Sequence, residues 1–268
     1  MLIDTHCHLN MMVKKDFDRL ITKKEITQAG DIVQQAYDHQ VRYIINVGTS
    51  FEESKNCITL SKEYEQVYAV IGLHPNDCNE NWRKQIKEFG PLLEQKDVLK
   101  IVGVGETGID RHYKGYNLQR QYDAFKGQIE LALHYDIALV VHSRDAYDET
   151  LQILDEYSRN SLRAVIHCFS YDQNFADQVI SWGFKLGIGG TITYPNNNEL
   201  RAVVRAINLS DFVLETDAPF LPPQSMRGQK NSPKEIQTIA QYISELRNDS
   251  FENIAMQTTS NAKLIFRL

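Results

Sequence analysis

The chain has 268 residues, 42% of them hydrophobic and 24% charged, a composition typical of a globular protein with a sizeable core. Its formal net charge of −6 argues against a broad basic surface for duplex DNA or anionic membranes. Four scattered cysteines, no N-terminal leader pattern and no apolar run near the ~20 residues of a membrane span predict a cytoplasmic protein without membrane contact.

Eight short apolar segments recur along the chain, and longer amphipathic segments separate them. Most of the eight lack polar alternation, which is typical of strands buried on both faces of a parallel sheet. In chain order they cover residues 2–8, 41–48, 66–72, 98–105, 137–142, 163–168, 184–190 and 212–216. The clearest helical spacing lies at 118–136, and a second apolar stripe closes the chain at 249–266.

This alternation predicts a single (β/α)8 TIM barrel over residues 1–268, because eight β/α units in ~250 residues are the typical dimensions of that fold. A doubly wound open sheet is the main alternative, but the first segment is not followed by a G-x-G-x-x-G motif. A charged segment at 11–28 and a polar loop at 222–233 follow the first and last strands. Loops after barrel strands are where function is expected.

Six metal-binding side chains stand at or just past the predicted strand ends. His8 to Glu106 spans 98 residues for three units, Glu106 to His142 spans 36 for one, His142 to His167 spans 25 for one, and His167 to Asp217 spans 50 for two. A barrel unit has ~31 residues, so every interval fits. The sequence therefore predicts that these residues meet at one barrel mouth: His6, His8, Glu106, His142, His167 and Asp217.

Four imidazoles and two carboxylates form a donor set suited to Zn²⁺, Mn²⁺ or similar ions. The set exceeds what one catalytic ion needs, which indicates two divalent ions. We expect Glu106 to bridge them, with His6, His8 and Asp217 on one ion and His142 and His167 on the other. Asp217 would also act as the general base. Each residue alone could equally be a hydrogen-bonded histidine or a helix-capping carboxylate.

Three neighbours of these residues have expected roles of their own. Asp4 shares a strand face with His6 and His8 and could orient an imidazole, or it could be a plain polar barrel residue. Cys7 and Cys168 are offset by one residue from a histidine, which predicts that both pack towards the helices and away from the mouth.

At these residues the chain resembles the TatD family of metal-dependent hydrolases, often described as deoxyribonucleases. The segments that carry the resemblance are "LIDTHCHLN", "GLHP", "GVGETGID", "VVHSRDA", "IHCFS", "LETDAP" and "RGQKNSP". The resemblance implies the barrel and a site with two divalent ions (Mg²⁺, Mn²⁺ or Zn²⁺) at the six residues above. It also implies 3′-to-5′ phosphodiester hydrolysis at the ends of single-stranded DNA or RNA, in DNA repair or turnover.

Candidate substrate contacts are less specific. Arg144, Arg227 and Lys230 could meet phosphates, and Phe169, Tyr171 and Tyr194 could stack on terminal bases; the alternatives are surface charge and core packing. His74, at the end of the third strand, could contact substrate or a metal ligand. We expect single-stranded nucleic acid ends as the substrate, and no obligate protein partner is inferred.

Two other functions remain open. An ester or amide hydrolase of the broader amidohydrolase type shares the histidines and the last-strand aspartate. Many of those enzymes carry a modified lysine on strand four, where this chain has Glu106. The resemblance also extends to D-aminoacyl-tRNA deacylation. A metal-dependent nucleic-acid binder without turnover is the third possibility.

Overall fold

A computed structural model describes residues 1–17 and 19–268. Its strands form one eight-stranded parallel sheet in which each strand lies beside its sequence neighbours, in the order β1-β2-β3-β4-β5-β6-β7-β8. The strands are β1 (Leu2–Cys7), β2 (Val41–Val47), β3 (Val67–Ile71), β4 (Ile101–Asp110), β5 (Ala138–Arg144), β6 (Ala164–Ile166), β7 (Lys185–Ile188) and β8 (Phe212–Leu214). This arrangement confirms the predicted (β/α)8 barrel.

Helices follow the strands around the outside of the barrel. In the described part of the chain they are α1 (Leu9–Val13), α2 (Lys23–Asp38), α3 (Phe51–Glu63), α4 (Trp82–Leu93), α5 (Leu118–Tyr135), α6 (Tyr147–Tyr157), α7 (Gln173–Ser181), α8 (Asn198–Ala206), α9 (Ile236–Arg247) and α10 (Phe251–Phe266). The α5 helix begins after Asn117, whose side chain accepts a hydrogen bond from the Arg120 N–H, and ends at the left-handed Asp136. These two caps explain why the helix predicted at 118–136 has these bounds.

The barrel closes where β8 meets β1. The Thr5 hydroxyl donates to the Leu214 carbonyl at 2.9 Å. Beyond β8, Asp217 N–H donates to the His6 carbonyl at 2.8 Å, and His8 N–H donates to the Ala218 carbonyl at 2.7 Å. Closure therefore brings the segment after the last strand directly against the two histidines of the first.

Apolar side chains bury both faces of the sheet, as a parallel sheet requires. One buried cluster joins the strands to the surrounding helices, and a second brings valines and isoleucines from most strands together with the end of α10. In the described residues, no helix combines the length and apolarity that crossing a bilayer would require.

Several strand ends differ from the predicted ones, and two of the differences concern the mouth. The fourth strand runs to Asp110 instead of residue 105, so Glu106 lies inside β4, and His142 likewise lies inside β5. Conversely, β1 ends at Cys7, and His8 is the first residue of the turn into α1. Polar residues inside a strand interrupt the apolar pattern from which strand ends were predicted.

The charged segment predicted at 11–28 is partly helical, because α2 already begins at Lys23 behind a capping box made by Thr22 and Glu25. Asp18 lies outside the described residues. The buried ammonium of Lys14 fixes the segment, since it donates to Glu53 Oε1 at 2.5 Å and to the Arg19 carbonyl at 2.8 Å. A buried ion pair thus ties this part of the rim to α3.

Candidate metal centre

Four side chains place one donor atom each around a common point at the carboxyl end of the barrel. His6 Nε2 lies 3.3 Å from His8 Nε2, 3.4 Å from Glu106 Oε2 and 3.8 Å from Asp217 Oδ1. His8 Nε2 lies 3.7 Å from Glu106 Oε2 and 3.4 Å from Asp217 Oδ1. Donors bound tetrahedrally to one ion at ~2.1 Å stand roughly 3.4 Å apart, so these spacings fit a divalent ion.

Local hydrogen bonds orient these donor atoms. His8 Nδ1 lies 2.8 Å from the Val47 carbonyl, and donation there leaves the lone pair of Nε2 facing the other three donors. Asp4 accepts from the N–H groups of His6 and Thr216, at 3.2 and 3.0 Å, and so joins the backbone of β1 to the segment after β8. Asp217 has a φ of +56°, a left-handed conformation that aspartate tolerates better than most residues.

In the second predicted donor set, one pair of donor atoms lies closer together than any pair of the first set. His142 Nδ1 lies 2.7 Å from Glu106 Oε1, and His167 Nε2 lies 3.8 Å from both Glu106 Oε1 and Asp217 Oδ1. The His167 ring stacks on His6 with centroids 3.5 Å apart. Because 2.7 Å is a hydrogen-bond distance, an ion between His142 and Glu106 would require these two groups to separate slightly. Glu106 nevertheless directs one oxygen at each set, as expected of a bridging carboxylate.

Glu215 is a buried carboxylate that the sequence analysis missed. Its Oε1 lies 3.0 Å from His167 Nδ1 and accepts from Cys168 N–H at 2.6 Å. Donor atoms of Glu215, His6 and His167 all lie within 4.8 Å of one another. Three polar atoms here are buried without a hydrogen-bond partner: His6 Nδ1, Glu215 Oε2 and His167 Nδ1. The last of them lies close to Glu215 Oε1 but is still without a hydrogen bond. Glu215 thus lies behind both metal-facing imidazoles, where a carboxylate can orient them.

The neighbouring strand makes room for Glu215. A Cβ atom built on Gly187, in β7, would overlap with the Glu215 carboxylate. Two features of the sequence could have indicated Glu215. It lies two residues before Asp217, a spacing that places both side chains on one face of an extended chain, and β7 has a glycine opposite it.

Asp110 is the second residue that the sequence analysis missed. Its Oδ2 lies 3.0 Å from His142 Nε2 and accepts from the Asn76 side chain at 3.0 Å. His142 is therefore held between Glu106 and Asp110. Both carboxylates lie on the same face of β4, four residues apart, but the strand was predicted to end before either of them.

Mutual ionisation stabilises charges that burial alone would suppress. Burial opposes ionisation of Glu106, but the histidines around it outweigh this and hold its pKa well below the usual value. Burial likewise disfavours a charged His167, yet Glu215 and Glu106 raise its pKa to about 10. Burial, reinforced by His142, lowers the pKa of His74 to about 3. Protons on histidines such as His167 thus balance part of the negative charge of the carboxylates. The same carboxylate oxygens would attract a metal cation.

The residues fit the implied metal ions on chemical grounds. The donors are imidazole nitrogens and carboxylate oxygens, the ligands that Zn²⁺ and Mn²⁺ accept, and three orphaned polar atoms adjoin them. The structure brings all six predicted ligands together. His6, His8, Glu106 and Asp217 would hold one ion, and Glu106, His142 and His167 would hold the other.

Comparisons with known proteins point to one family. The model of the family described as TatD related DNase matches residues 3–267. The chain belongs to this family. It is 31% identical to the uncharacterized metal-dependent hydrolase YabD of Bacillus subtilis over 268 residues, which is 100% of both chains. The recognised resemblance is therefore confirmed, and the chain is a TatD-family metal-dependent hydrolase.

Solved structures agree with this assignment. The crystal structure of YjjV, a TatD homolog from Escherichia coli, superposes with a TM-score of 0.89 at 29% identity, covering 100% of this chain and 98% of that one. A TatD family hydrolase from Entamoeba histolytica has the same fold, with a TM-score of 0.83 at 20% identity over 99% and 97% of the two chains.

In this TatD-family chain the metal centre opens into a cavity of 660 Å³. His74 and Arg144 line it, His74 with its Nε2 3.6 Å from Glu106 Oε1. Cys168 also lines it, so the predicted packing towards the helices is wrong. β6 ends at Ile166 and Cys168 has a φ of +47°, which interrupts the strand alternation. Cys7 is buried between the sheet and the helices, as predicted.

Other predicted substrate contacts lie elsewhere. Arg227 is exposed outside the cavity, with its guanidinium 4.5 Å from the centroid of the Tyr194 ring. Lys230 is exposed and likewise does not line the cavity. Phe169 is buried, and Tyr171 stacks on Phe175 at 4.5 Å. For Phe169 and Tyr171 the structure favours the core-packing alternative, because the chain after β6 packs these rings against the helix layer.

A hollow of 720 Å³ lies at the opposite end of the barrel, beside Met1 and Gln40. It is slightly larger than the cavity at the metal centre. Its lining is mostly neutral and includes Glu252 and Lys263 as its charged side chains. Size alone therefore does not distinguish the two hollows, whereas the convergence of ionisable groups does.

Proposed function

We propose that this metal-dependent hydrolase removes nucleotides from the 3′ ends of single-stranded DNA or RNA. The observation that carries the proposal is Glu106, which directs one carboxylate oxygen at each of two donor sets on the floor of one cavity. Paired ions that share a carboxylate are typical of phosphoryl-transfer enzymes. The 3′-to-5′ direction rests on the family resemblance.

Divalent ions at such a centre would lower the pKa of water and neutralise phosphate charge. Asp217, with a pKa lowered against the effect of burial by its contacts with His8 and His167, is ionised and can accept the proton of the attacking water. Arg144 is exposed on the cavity wall, where its guanidinium can pair with a phosphate.

His74 has a fixed tautomer that suits it for hydrogen-bond donation. Its Nδ1 accepts from the Asn76 N–H at 3.2 Å, so in the neutral imidazole the proton is on Nε2, which faces the cavity floor. A neutral donor can stabilise charge that develops on a phosphate oxygen. The size of the cavity, within the ~300–1,000 Å³ of small-molecule sites, favours a strand end over a long internal stretch.

The test is an assay with single-stranded oligonucleotides labelled at either end, in Mg²⁺, Mn²⁺ or Zn²⁺. We expect stepwise shortening from the 3′ end, abolished by EDTA and slowed at least ~100-fold by Glu106→Gln. An intact oligonucleotide under all three metals would overturn the proposal.

One observation favours a second candidate, hydrolysis of a less anionic ester or amide. Among the described residues that line the cavity, Arg144 is the only lysine or arginine, so the lining offers a polyanion one permanent cation. A D-aminoacyl-tRNA and a simple lactone or amide therefore belong in the same assay. Rapid deacylation or ring opening beside intact DNA would select this second candidate. Binding of the oligonucleotide without hydrolysis of any substrate would indicate a metal-dependent binder.

A further inference from the structure

Two large aromatic side chains stand exposed at the edge of the catalytic cavity. Tyr113 is 56% exposed and Phe220 is 48% exposed, and both line the cavity that contains the metal donors. Neither was among the aromatic residues expected to contact bases. A large aromatic ring that faces water loses the stabilisation of burial, so its place beside a site favours a contact with ligand.

The two rings lie on opposite sides of the metal centre. Tyr113 follows β4 and Phe220 follows β8, and strands four apart face one another across an eight-stranded barrel. Each ring comes three residues after a carboxylate of the site, Asp110 in one case and Asp217 in the other. The reacting group of a substrate would thus lie between the two rings.

The backbone near Phe220 is held, while its ring stays accessible. Phe220 N–H donates to the Asp217 carbonyl at 2.8 Å, and the Asn231 side chain donates to the Phe220 carbonyl at 2.8 Å. The Phe220 ring meets the His8 ring edge to face, with centroids 6.0 Å apart. A flat group stacked on Phe220 would therefore lie next to the first donor set.

Tyr113 lies close to Arg144, the cation that can pair with a phosphate. The Arg144 guanidinium lies 5.6 Å from the centroid of the Tyr113 ring, and the His112 ring meets Tyr113 edge to face at 5.2 Å. His112 is itself held by Asp145, with Nδ1 and Oδ2 3.0 Å apart. This wall of the cavity thus combines an exposed aromatic ring with a guanidinium that lies over it, the two kinds of group that surfaces binding single strands use.

We propose that Tyr113 and Phe220 are two base-stacking subsites that hold the bases on either side of the scissile phosphodiester. The inference rests on the proposed function and specifies its substrate: an unpaired end, because two bases drawn to opposite walls cannot remain in a duplex. Every base has a π face, so the subsites tolerate any sequence. Arg144 contacts the phosphate between or beside the two bases.

The test compares an oligonucleotide with one whose last two 3′ residues are abasic. Stacking contributes about 1–3 kcal/mol per base, so the loss of two bases should give wild type a KM at least ~30-fold lower for the end that carries bases. Tyr113→Ala and Phe220→Ala should each reduce this preference by raising the KM for the end that carries bases. Tyr113→Phe and Phe220→Tyr should keep the preference, as should Tyr37→Ala, an exposed aromatic on α2.

The outcomes separate the subsites from the proposed function. If wild type shortens both oligonucleotides and the alanine variants keep the wild-type preference, the subsites are wrong and the nuclease function stands. If wild type shortens neither, both are wrong. Fluorescence of 2-aminopurine at the 3′ end gives a readout without turnover in the Glu106→Gln background. We expect quenching on binding, and less quenching once Phe220→Ala or Tyr113→Ala is added.

Discussion

Two buried polar clusters lie at the same end of this barrel and differ in how they satisfy their charges. Around Lys14, Glu53 accepts from the lysine and from the side chains of Asn10 and Asn56, and the lysine also donates to the Arg19 carbonyl. The metal centre, in contrast, leaves buried nitrogens and a carboxylate oxygen without hydrogen-bond partners.

The difference separates structural polar clusters from functional ones. Donors and acceptors match around Lys14, so the cluster is complete and fixes the rim. At His6, His8, Glu106 and Asp217 several lone pairs face one point, an arrangement that costs stability unless a cation arrives. A buried polar cluster that leaves polar atoms without partners is therefore the better guide to a metal site, and each prediction below tests one side of this contrast.

The largest effect is expected at Glu106, because both donor sets depend on it. Glu106→Gln keeps the size of the side chain and removes its charge, so turnover should fall about 100- to 10,000-fold while the circular dichroism spectrum is preserved. Glu252→Gln, at the neutral hollow on the opposite end, serves as the matched control and should leave turnover unchanged. Near-normal turnover in Glu106→Gln would rule out the bridging role.

At Lys14 we expect a loss of stability with little change in metal binding. Lys14→Met leaves Glu53 buried without its cation, which should lower the free energy of unfolding by about 3–5 kcal/mol. Metal affinity should stay within a few-fold of wild type. Urea denaturation against Lys15→Met, an exposed neighbour, provides the measurement. Equal stability of the two variants would show that the ion pair does not anchor the rim.

A smaller effect is expected at Glu215, which lies behind the imidazoles of His6 and His167. Glu215→Gln keeps an acceptor for one imidazole but removes the carboxylate charge, so metal affinity should fall about 10- to 100-fold. Excess metal should then restore most of the turnover, whereas it should not rescue Glu106→Gln. Unchanged affinity in calorimetric titrations would mean that Glu215 does not orient His6 and His167.

The last prediction concerns pH. The pKa of His167 is raised from 6.5 to about 10, so the stability it contributes to the metal-free protein is full below about pH 6.5 and is lost as pH rises towards 10. Metal requires the neutral imidazole, so affinity should rise up to about ten-fold per pH unit for each proton released. The increase in Tm on adding Mn²⁺ should therefore be larger near pH 8 than near pH 6. An increase that shrinks with pH would contradict this titration.

The fold could be predicted because apolar segments and their spacing carry it. The eight segments correspond to β1–β8 in order, and the interval between one strand-end ligand and the next matched the barrel repeat. Strand ends were predicted less well where polar residues continue the strand, as at Glu106 and Asp110 in β4.

Within the site, residues that face the metals were easier to find than the residues behind them. A ligand such as His167 has a spacing that can be tested, whereas Glu215 matters because it lies behind two imidazoles from different strands. The alternatives left open for Arg227 and Phe169 could not be decided from the sequence, because loop conformations after β6 and β8, unlike strands, leave no period in the sequence.

Metal stoichiometry tests the central claim most directly. Calorimetric titration of the metal-free chain with Mn²⁺, checked by anomalous scattering from crystals grown with the same ion, should give two ions per chain. The first should bind more tightly, because its donors already stand 3.3–3.8 Å apart, whereas His142 and Glu106 must separate from 2.7 Å. A wild-type protein that binds no ion, or ions that lie away from Glu106, would contradict the account.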